Sequence, residues 1–460
     1  MRPDQRGRRA QGGDLRAGHR AGSAGLRRPA QGVLRRRLCG HRDGGPRVAC
    51  RRGDRTARPG AGRDRAVTAA RAGTGSGVGV ALVTYSTKPR GGVVHTLCLA
   101  EELHRQGYPV HVITLGDPAV GFFRPTTVPH TVLPAPDKGT TLDERVFAAI
   151  DALTEGLSDL AGHFDILHTQ DCISARAAAG IRAAGLPVTV VRTVHHVDDF
   201  TTPALITCQR RAIEEPDLVL VVSEQWRRIL RADYGVDALV VPNGVDTERF
   251  PAVPAAARAQ LRDRAGADGR FLFLSVGGVE PRKGSVYLFE ALGRLASTHR
   301  LRPMLAVVGG HSFQDYAAYR EAALASLPSL GLRPGADVIE LGTVDDAELA
   351  GWYAAADALA FPSVKEGWGL AVLEAMSMDL PVIASNLPVF GEYLTDGHDA
   401  LLPAVADSTA LAGAMDRMIT DADLRDRLRT GGREVVERFT WKASADRHRD
   451  IYRTIRSARR

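Results

Sequence analysis

The sequence predicts an α/β protein with two doubly wound parallel-sheet domains in tandem, facing a cleft. Two series of short apolar runs alternate with helical stretches, as in parallel sheets whose strands are buried on both faces. The chain has 460 residues, enough for two large domains at about 100 to 200 residues each. Its composition, 44% hydrophobic and 25% charged, is typical of globular proteins. No apolar run approaches about 18 residues, so no membrane-spanning helix is predicted.

The first predicted domain spans residues 78–243. It begins with the apolar run VGVALVTY at 78–85, followed by the glycine-rich turn PRGG and a helix over 95–106. Further buried strands are predicted at 110–115, 165–168, 187–193, 218–223 and 239–242, and helices at 142–160 and 173–184. This alternation predicts a Rossmann-like sheet.

The second predicted domain spans residues 244–438, and its strands begin after a polar stretch at 258–270. Strands are predicted at 271–276, 304–308, 338–341, 358–361 and 381–384, and helices at 285–297 and 346–355. Residues 439–460 are predicted to form a terminal helix that packs back on the body. Ligands of such sheets bind outside the carboxyl ends of the strands, which here would line the cleft between the domains.

The first 71 residues differ in composition from the rest of the chain. They contain 20 Arg, 5 Asp and no Lys or Glu, whereas the remainder has 40 basic and 48 acidic residues. The segment lacks apolar periodicity and is predicted to be disordered. A misassigned start codon is the favoured interpretation, and a nucleic-acid-binding or membrane-binding arm is the alternative. The mildly acidic body predicts no nucleic-acid partner for the folded part.

The cysteines give no support to a metal centre or a disulfide framework. Five cysteines are scattered without CxxC or Cys/His spacing, at positions 39, 50, 98, 172 and 208. This pattern is typical of reduced thiols in a cytoplasmic protein, and it predicts no zinc site.

The densest group of candidate site residues follows the predicted strand 358–361. Gly367 and Gly369 would let backbone amides approach an anion at the start of the next helix. Glu366 and Glu374 lie eight residues apart, about 12 Å in a helix. That separation suits the two ends of one elongated ligand and exceeds that of a glycosidase carboxylate pair. Taken alone, each glutamate is more simply explained as a solvated charge or a helix-start carboxylate.

The residues around these glutamates resemble the retaining glycosyltransferases of family 4, the glycogen-synthase-like GT-B enzymes also called glycosyl transferases group 1. The family pattern PSxxEGxGLxxLEAMxxGxPVIAS is matched by PSVKEGWGLAVLEAMSMDLPVIAS, with Asp379 at a position that is usually glycine. Further blocks agree in order: VPNGVDTERF at 241–250, ELGTVDDAELAGWYAAADALAFPS at 340–363 and FGEYLTDGHDALLP at 390–403. The resemblance covers about residues 78–458 and implies the GT-B fold.

The resemblance implies a donor site for a nucleotide-diphosphate sugar. Glu366 would bind hydroxyls of the donor sugar, and Glu374 the ribose. The other implied donor contacts are the amides of Gly369, Leu370 and Ala371, the base neighbours Thr343 and Val344, and a glycine loop at Gly91 and Gly92. The two loop glycines could equally form an ordinary tight turn.

Histidines after the buried strands are the next candidates. The resemblance implies that His195 lies at the donor sugar, with His196 as the alternative one residue along. His95, and His168 with Asp171, are weaker candidates for the acceptor side. A histidine on the exposed surface of a helix is the simpler explanation of His95.

The reaction that the resemblance implies builds negative charge on a leaving diphosphate. Lys283 and Arg282 in GGVEPRKG would stabilise that charge without a metal ion or cofactor. Many relatives carry an arginine five residues before the lysine, where this chain has Gly278. Arg282 either replaces that arginine or is a solvated loop residue beside Lys283. The family retains the stereochemistry of the donor, and we name no protein nucleophile.

The resemblance therefore predicts a cytoplasmic hexosyltransferase, with peripheral contact at the inner membrane face left open. Its acceptor would be a hydroxyl of a glycan, lipid or small molecule. Alternatives on the same fold are a sugar-nucleotide epimerase, a phosphorylase-like enzyme and a non-catalytic sugar-nucleotide binding module.

Residues 1–71 are predicted to be dispensable, because they contribute no predicted core. A chain of residues 72–460 should keep both the melting temperature and the transfer rate of the full chain. Thermal denaturation and a transfer assay on the two chains check this. A clear fall in either quantity would show that the segment has a structural or functional role.

Overall fold

The computed structural model describes residues 79–137, 139–310, 314 and 316–458. These residues form two parallel sheets with helices on both faces, which confirms the predicted fold class. The predictions for residues 1–71 lie outside the described residues, as does Val78 at the start of the first apolar run.

The first sheet has seven parallel strands in the order β3-β2-β1-β4-β5-β6-β7. They are β1 (Val80–Thr84), β2 (Val110–Gly116), β3 (His130–Pro134), β4 (Ile166–Thr169), β5 (Thr189–Val194), β6 (Leu218–Val221) and β7 (Leu239–Val240). The order of the strands along the sheet reverses between β1 and β4. The carboxyl ends of these two central strands therefore border a crevice.

Five helices cover the first sheet: α1 (Gly91–Arg105), α2 (Leu142–Leu160), α3 (Cys172–Ala183), α4 (Pro203–Glu214) and α5 (Glu224–Tyr234). Helix α2 begins at a capping box in which Thr141 and Glu144 bond each other's backbone. Helix α5 is capped at its N-terminus by Ser223, whose hydroxyl accepts a hydrogen bond from the Trp226 amide. Gly235 caps its C-terminus.

The second sheet has six parallel strands in the order β10-β9-β8-β11-β12-β13. They are β8 (Leu272–Val276), β9 (Met304–Val308), β10 (Val338–Gly342), β11 (Ala358–Phe361), β12 (Val382–Ala384) and β13 (Ala400–Leu401). The helices of this half are α6 (Ala255–Ala265), α7 (Ser285–Thr298), α8 (Ala317–Ala325), α9 (Asp346–Ala355), α10 (Leu370–Ser377), α11 (Ser408–Thr420) and α12 (Ala422–Arg438).

Among the elements that were not anticipated from the sequence are helix α6 and strands β3 and β13. Helix α6 occupies most of the stretch that was interpreted as polar. Only Leu261 and Ala265 of that helix are buried, so the helix was not recognised from apolar residues. Strand β3 lies at the edge of its sheet and is largely exposed, so it lacks a continuous apolar signal. Strand β13 has only two residues.

The last helix, α13 (Trp441–Ala458), packs against α1 of the first half. Its buried residues Trp441, Ala445 and Tyr452 join the core beneath the first sheet. The chain crosses between the halves twice, first near Val245 and again near Thr440. The two crossings lie side by side, because Val245 and Thr440 pair in a parallel bridge. Gly244 lies directly against the backbone of Thr440 and Trp441.

The departure at Asp379 has a structural explanation. The residue has a left-handed backbone with φ of 56°, which glycine adopts readily and a residue with a Cβ adopts at a cost of about 1 kcal/mol. Its carboxylate pairs with Arg433 at 2.6 Å, and this exposed ion pair offsets only part of the strain.

Replacing Asp379 by glycine should therefore stabilise the protein, by up to about 1 kcal/mol of unfolding free energy. Asp379→Ala should destabilise it, because alanine keeps the strain and loses the ion pair. Denaturant titration of both variants measures the effect. A less stable Asp379→Gly protein would mean that the ion pair outweighs the backbone strain.

Candidate active site

The glycine turns after β8 and β9 lie against each other at the carboxyl edge of the second sheet. Gly278 has φ of +75°, and a Cβ on it would lie 3.0 Å from the carbonyl oxygen of Gly310. The position therefore favours glycine for both conformation and space.

Two basic side chains converge on Glu366 from the single 3₁₀ turn Pro281–Lys283. Lys283 Nζ lies 2.6 Å from Glu366 Oε1, and Arg282 Nη1 lies 3.4 Å from the same oxygen. Ser363 Oγ donates to this oxygen at 2.9 Å. The Lys283 side chain is 11% exposed and that of Arg282 is 36% exposed, so the lysine is the enclosed partner.

The electrostatics of this cluster favour an ionised Glu366. Burial alone would raise the pKa of its carboxyl, but the positive charges of Lys283 and Arg282 hold that pKa below its ordinary value. Lys283 Nζ also lies 4.4 Å from the centre of the Phe361 ring, a cation–π distance. A second carboxylate, Glu280, pairs with Arg282 Nε at 3.2 Å, so the two cations of the cluster are held by two carboxylates.

Helix α10 points its N-terminus into the same region. Gly369, the residue before the helix, has φ of +91°, and a Cβ on it would lie 2.6 Å from the Phe390 ring. The first amides of the helix, at Leu370 and Ala371, have no acceptor within the helix and carry the positive end of its dipole. This end of the helix can bind an anion.

Glu374 lies one turn further along α10 and is nearly buried. Its Oε1 accepts from Arg249 Nη1 at 2.9 Å, and its Oε2 accepts from Tyr353 Oη at 2.9 Å. Arg249 also binds Asp346 through two nitrogens. Arg249 and Tyr353 were not predicted as site residues, although both lie in sequence blocks that match the family.

Thr343 and Val344 directly follow β10 at the same edge of the sheet. Thr343 is exposed and its Oγ1 faces Gly310, whereas Val344 packs against the core of the second half. An exposed polar residue next to a partly buried apolar side chain is a suitable environment for one face of a flat ring.

His195 follows β5 and faces the glycine loop of the other half. Its backbone carbonyl lies against Gly367, and its Nε2 lies 3.1 Å from Gln170 Oε1. Because an amide oxygen accepts this bond, Nε2 carries the ring proton and Nδ1 is an acceptor. Burial, reinforced by the charges of His196 and Arg192, lowers the pKa of His195 to about 3, so the ring is neutral near pH 7.

His196 points elsewhere. Its side chain is 39% exposed, and its Nε2 lies 3.3 Å from Asp198 Oδ1. Of the two histidines, His195 is therefore the one held against the Glu366 loop.

The N-terminus of α1 completes this side of the cleft. Gly91 and Gly92 form the first turn of the helix, so the predicted glycine loop is a helix start. A Cβ on Gly92 would lie 3.6 Å from His195 Cδ2. The glycine therefore lets the helix start lie close to the histidine.

Within the described part of the chain, no group of three or more His, Cys, Asp or Glu side chains is arranged to hold a metal ion. Over the same residues, no helix has the length and apolar character needed to cross a bilayer.

Comparison with known proteins identifies the family. The profile of the family described as "Glycosyltransferase Family 4" matches residues 89–249, and that of "Glycosyl transferases group 1" matches residues 257–435. A D-inositol 3-phosphate glycosyltransferase of Xylanimonas cellulosilytica is 30% identical over 410 residues, covering 81% of this chain and 96% of that protein. The chain belongs to glycosyltransferase family 4. Like its relatives, it is a glycosyltransferase.

A further relative and two solved structures are also similar to this family 4 chain. A phosphatidyl-myo-inositol mannosyltransferase of Mycobacterium leprae is 29% identical, covering 81% of this chain and 95% of that protein. Sucrose-phosphate synthase from Thermosynechococcus elongatus has a TM-score of 0.69 at 23% identity, covering 83% of this chain and all of that one. Anabaena HepE, solved with UDP and glucose, has a TM-score of 0.67 at 20% identity, with the same coverage. At these identities the solved structures establish the shared GT-B fold.

Three residues predicted for the acceptor side of this family 4 enzyme occupy buried or structural positions. His95 is 1% exposed and lies inside the molecule, which corrects its interpretation as a surface histidine. His168 is fully buried, with its ring nitrogens bonded to Tyr452 Oη at 2.6 Å and Thr193 Oγ1 at 2.7 Å. Asp171 caps α3 and binds Thr84 and the Tyr85 amide. The polar atoms of His168 and Asp171 are therefore bonded within the fold, and an acceptor-side role for these two residues stays a prediction.

Proposed function

We propose that this glycosyltransferase moves a hexosyl group from a nucleotide-diphosphate sugar to a hydroxyl acceptor, with retention and without a metal ion. The observation that carries the proposal is the convergence of Lys283 and Arg282 on Glu366, beside the N-terminus of α10. This arrangement combines cations and amides for a diphosphate with a carboxylate for sugar hydroxyls.

The leaving diphosphate would bind between Lys283, Arg282 and the first amides of α10. Negative charge grows on the diphosphate as the anomeric C–O bond breaks, and preorganised cations stabilise that charge. Lys283 is held as a point charge by Glu366, and Arg282 offers a planar fork. These groups can neutralise the leaving group in the absence of a metal ion.

The sugar would bind between Glu366 and His195, which the two halves bring together. An ionised carboxylate and a neutral Nδ1 both accept hydrogen bonds from sugar hydroxyls. No carboxylate is assigned as a nucleophile, so retention would follow from acceptor attack on the face from which the diphosphate departs.

The nucleoside would lie along α10 beyond the diphosphate. Glu374 keeps lone pairs for the ribose diol while Arg249 and Tyr353 hold its orientation. Thr343 and Val344 would flank the base.

The relatives' names suggest which acceptors to test. Two are named for D-inositol 3-phosphate and phosphatidyl-myo-inositol as acceptors. We infer an acceptor hydroxyl on an inositol ring that carries a phosphate, either free or within a lipid.

A panel of donors and acceptors tests the proposal. The full chain is incubated with UDP-, GDP- and ADP-hexoses, each with myo-inositol phosphate, phosphatidylinositol vesicles, inorganic phosphate or no acceptor. Transfer products are measured by mass spectrometry, and the configuration of the sugar is measured by ¹H NMR. We expect one donor to give a hexosylated acceptor. A change in the configuration of the sugar without transfer would indicate an epimerase. Formation of a sugar phosphate from inorganic phosphate would indicate a phosphorylase-like enzyme. Binding of the donor without turnover would indicate a non-catalytic module.

Glu374→Gln should weaken nucleotide binding about 10- to 100-fold, because hydrogen bonds to a charged acceptor are replaced by weaker ones. Calorimetric titration with UDP and GDP measures the affinity. Glu348→Gln, on the surface of α9, is the control and should bind as wild type. Unchanged affinity in Glu374→Gln would remove the ribose assignment.

A further inference from the structure

His95 lies behind His195 and contacts both places where the chain crosses between the two halves. Its ring centre lies 4.6 Å from that of His195, in an edge-to-face arrangement. Its Nδ1 lies 2.8 Å from Asn243 Oδ1, on the first crossing. Its ring centre lies 5.3 Å from that of Trp441, on the second crossing.

The bond to Asn243 fixes the orientation of the His95 ring. An amide oxygen accepts, so Nδ1 carries the proton, and burial lowers the pKa of His95 well below its ordinary value. His95 and Asn243 are 1% and 4% exposed. Rotation of either side chain would break a bond inside the protein, where an unpaired polar group is costly. The neutral His95 ring is thus locked in one position.

That locked ring forms one wall of the space that His195 occupies. His195 is also held by Gln170 Oε1 and by its backbone contact with Gly367. Without the edge-to-face contact with His95, the His195 ring would be held only on the side of Gln170 and Gly367. A displacement of about 1 Å in a group that binds the reacting sugar is enough to lower a rate strongly.

The two crossings connect the contact between His95 and His195 to the relative placement of the two halves. Asn243 directly precedes Gly244, which lies against Thr440 and Trp441. A shift of one crossing therefore changes the hydrogen bond to His95, and a shift of the other changes its ring contact.

We propose that His95 is a positioning residue, which holds His195 against the donor sugar and couples the orientation of His195 to the two crossings. The proposal rests on the proposed function, since it takes His195 to bind the transferred sugar. His95 itself touches neither sugar nor diphosphate in this account.

The test compares Asn243→Leu, which removes the acceptor of the His95 bond, with Asn243→Asp, which keeps an acceptor oxygen in place. Tyr452→Phe is the matched control, because it removes a buried bond from His168 in the same core without touching His195. Steady-state kinetics give kcat and KM, calorimetry gives UDP or GDP affinity, and thermal denaturation gives stability. ¹⁵N NMR of labelled imidazoles, with His195→Gln for assignment, reports on the His195 ring.

We expect Asn243→Leu to lower kcat about tenfold, with nucleotide affinity unchanged and the His195 nitrogen signals shifted. Asn243→Asp should recover most of the rate. Tyr452→Phe should lower the melting temperature and leave kcat and the His195 signals as in wild type.

A loss of stability in Asn243→Leu with unchanged kcat and unchanged His195 signals would overturn the proposal and leave His95 a purely structural residue. Wild-type kcat in His195→Ala would instead overturn the proposed role of His195 in the reaction. In that case the His195 signals in Asn243→Leu would still decide whether His95 and Asn243 position the ring.

Discussion

Replacing Lys283 by methionine should lower kcat/KM about 10³-fold, or about 4 kcal/mol of transition-state stabilisation. Lys283 is the enclosed cation of the cluster, and its Nζ lies 2.6 Å from Glu366. Methionine keeps much of the packing of the side chain but supplies no charge to the leaving diphosphate. Steady-state kinetics with the donor found in the panel measure the loss.

Two variants separate the effect of this charge from effects on the loops. Lys365→Met removes a nearby lysine that pairs with Asp199, and it should stay within about threefold of wild type. Arg282→Lys keeps the charge but loses the planar fork, so a marked loss would show that Arg282 grips phosphate in place of the arginine absent at Gly278. Near wild-type rates in both Arg282→Lys and Arg282→Ala would return the site to Lys283 alone. A mild effect of Lys283→Met would contradict the assignment of the leaving-group cation.

Replacing Glu366 by glutamine should lower kcat about 10²- to 10³-fold and change UDP or GDP affinity by less than about tenfold, because that affinity is affected only through the orientation of Lys283. Glutamine has the same shape, but it neither orients Lys283 by charge nor accepts strongly from sugar hydroxyls. The sugar carbon would then be misplaced, and misplacement costs rate directly.

The predictions for Glu366 and Glu374 differ in the quantity that should change. Glu366→Gln should affect turnover and Glu374→Gln should affect nucleotide binding, because the two carboxylates would hold opposite ends of one donor. Calorimetry and kinetics on the same protein samples separate the two effects. A large loss of nucleotide affinity in Glu366→Gln would place its carboxylate at the nucleotide instead of the sugar.

Local features of the fold could be predicted from the sequence because they depend on neighbours along the chain. The helix Leu142–Leu160 has the predicted bounds, since apolar periodicity and a capping box mark it within a single stretch. The contact between Lys283 and Glu366 was not predicted, although the positions of both residues after strands were. Both residues follow parallel strands, whose carboxyl ends lie at one edge of the sheet.

Features that depend on residues far apart in the chain could not be predicted in this way. The hydrogen-bond partners of His168 and His95 lie on β5, on α13 and at the first crossing, and nothing in the local sequence indicates them. Arg249 reaches Glu374 across 125 positions. His168 on β4 and His95 on α1 are buried because the last helix returns to the first half and packs its Tyr452 and Trp441 side chains against them.

The stereochemistry of the product tests the central claim most directly. ¹H NMR of the reaction with an α-configured donor, in the presence of EDTA, gives the anomeric coupling of the first product formed. We predict an α-configured product at an undiminished rate, since Lys283, Arg282 and the α10 amides would stabilise the leaving group without a metal ion. A β-configured product, or loss of turnover on chelation that added Mg²⁺ restores, would contradict the account.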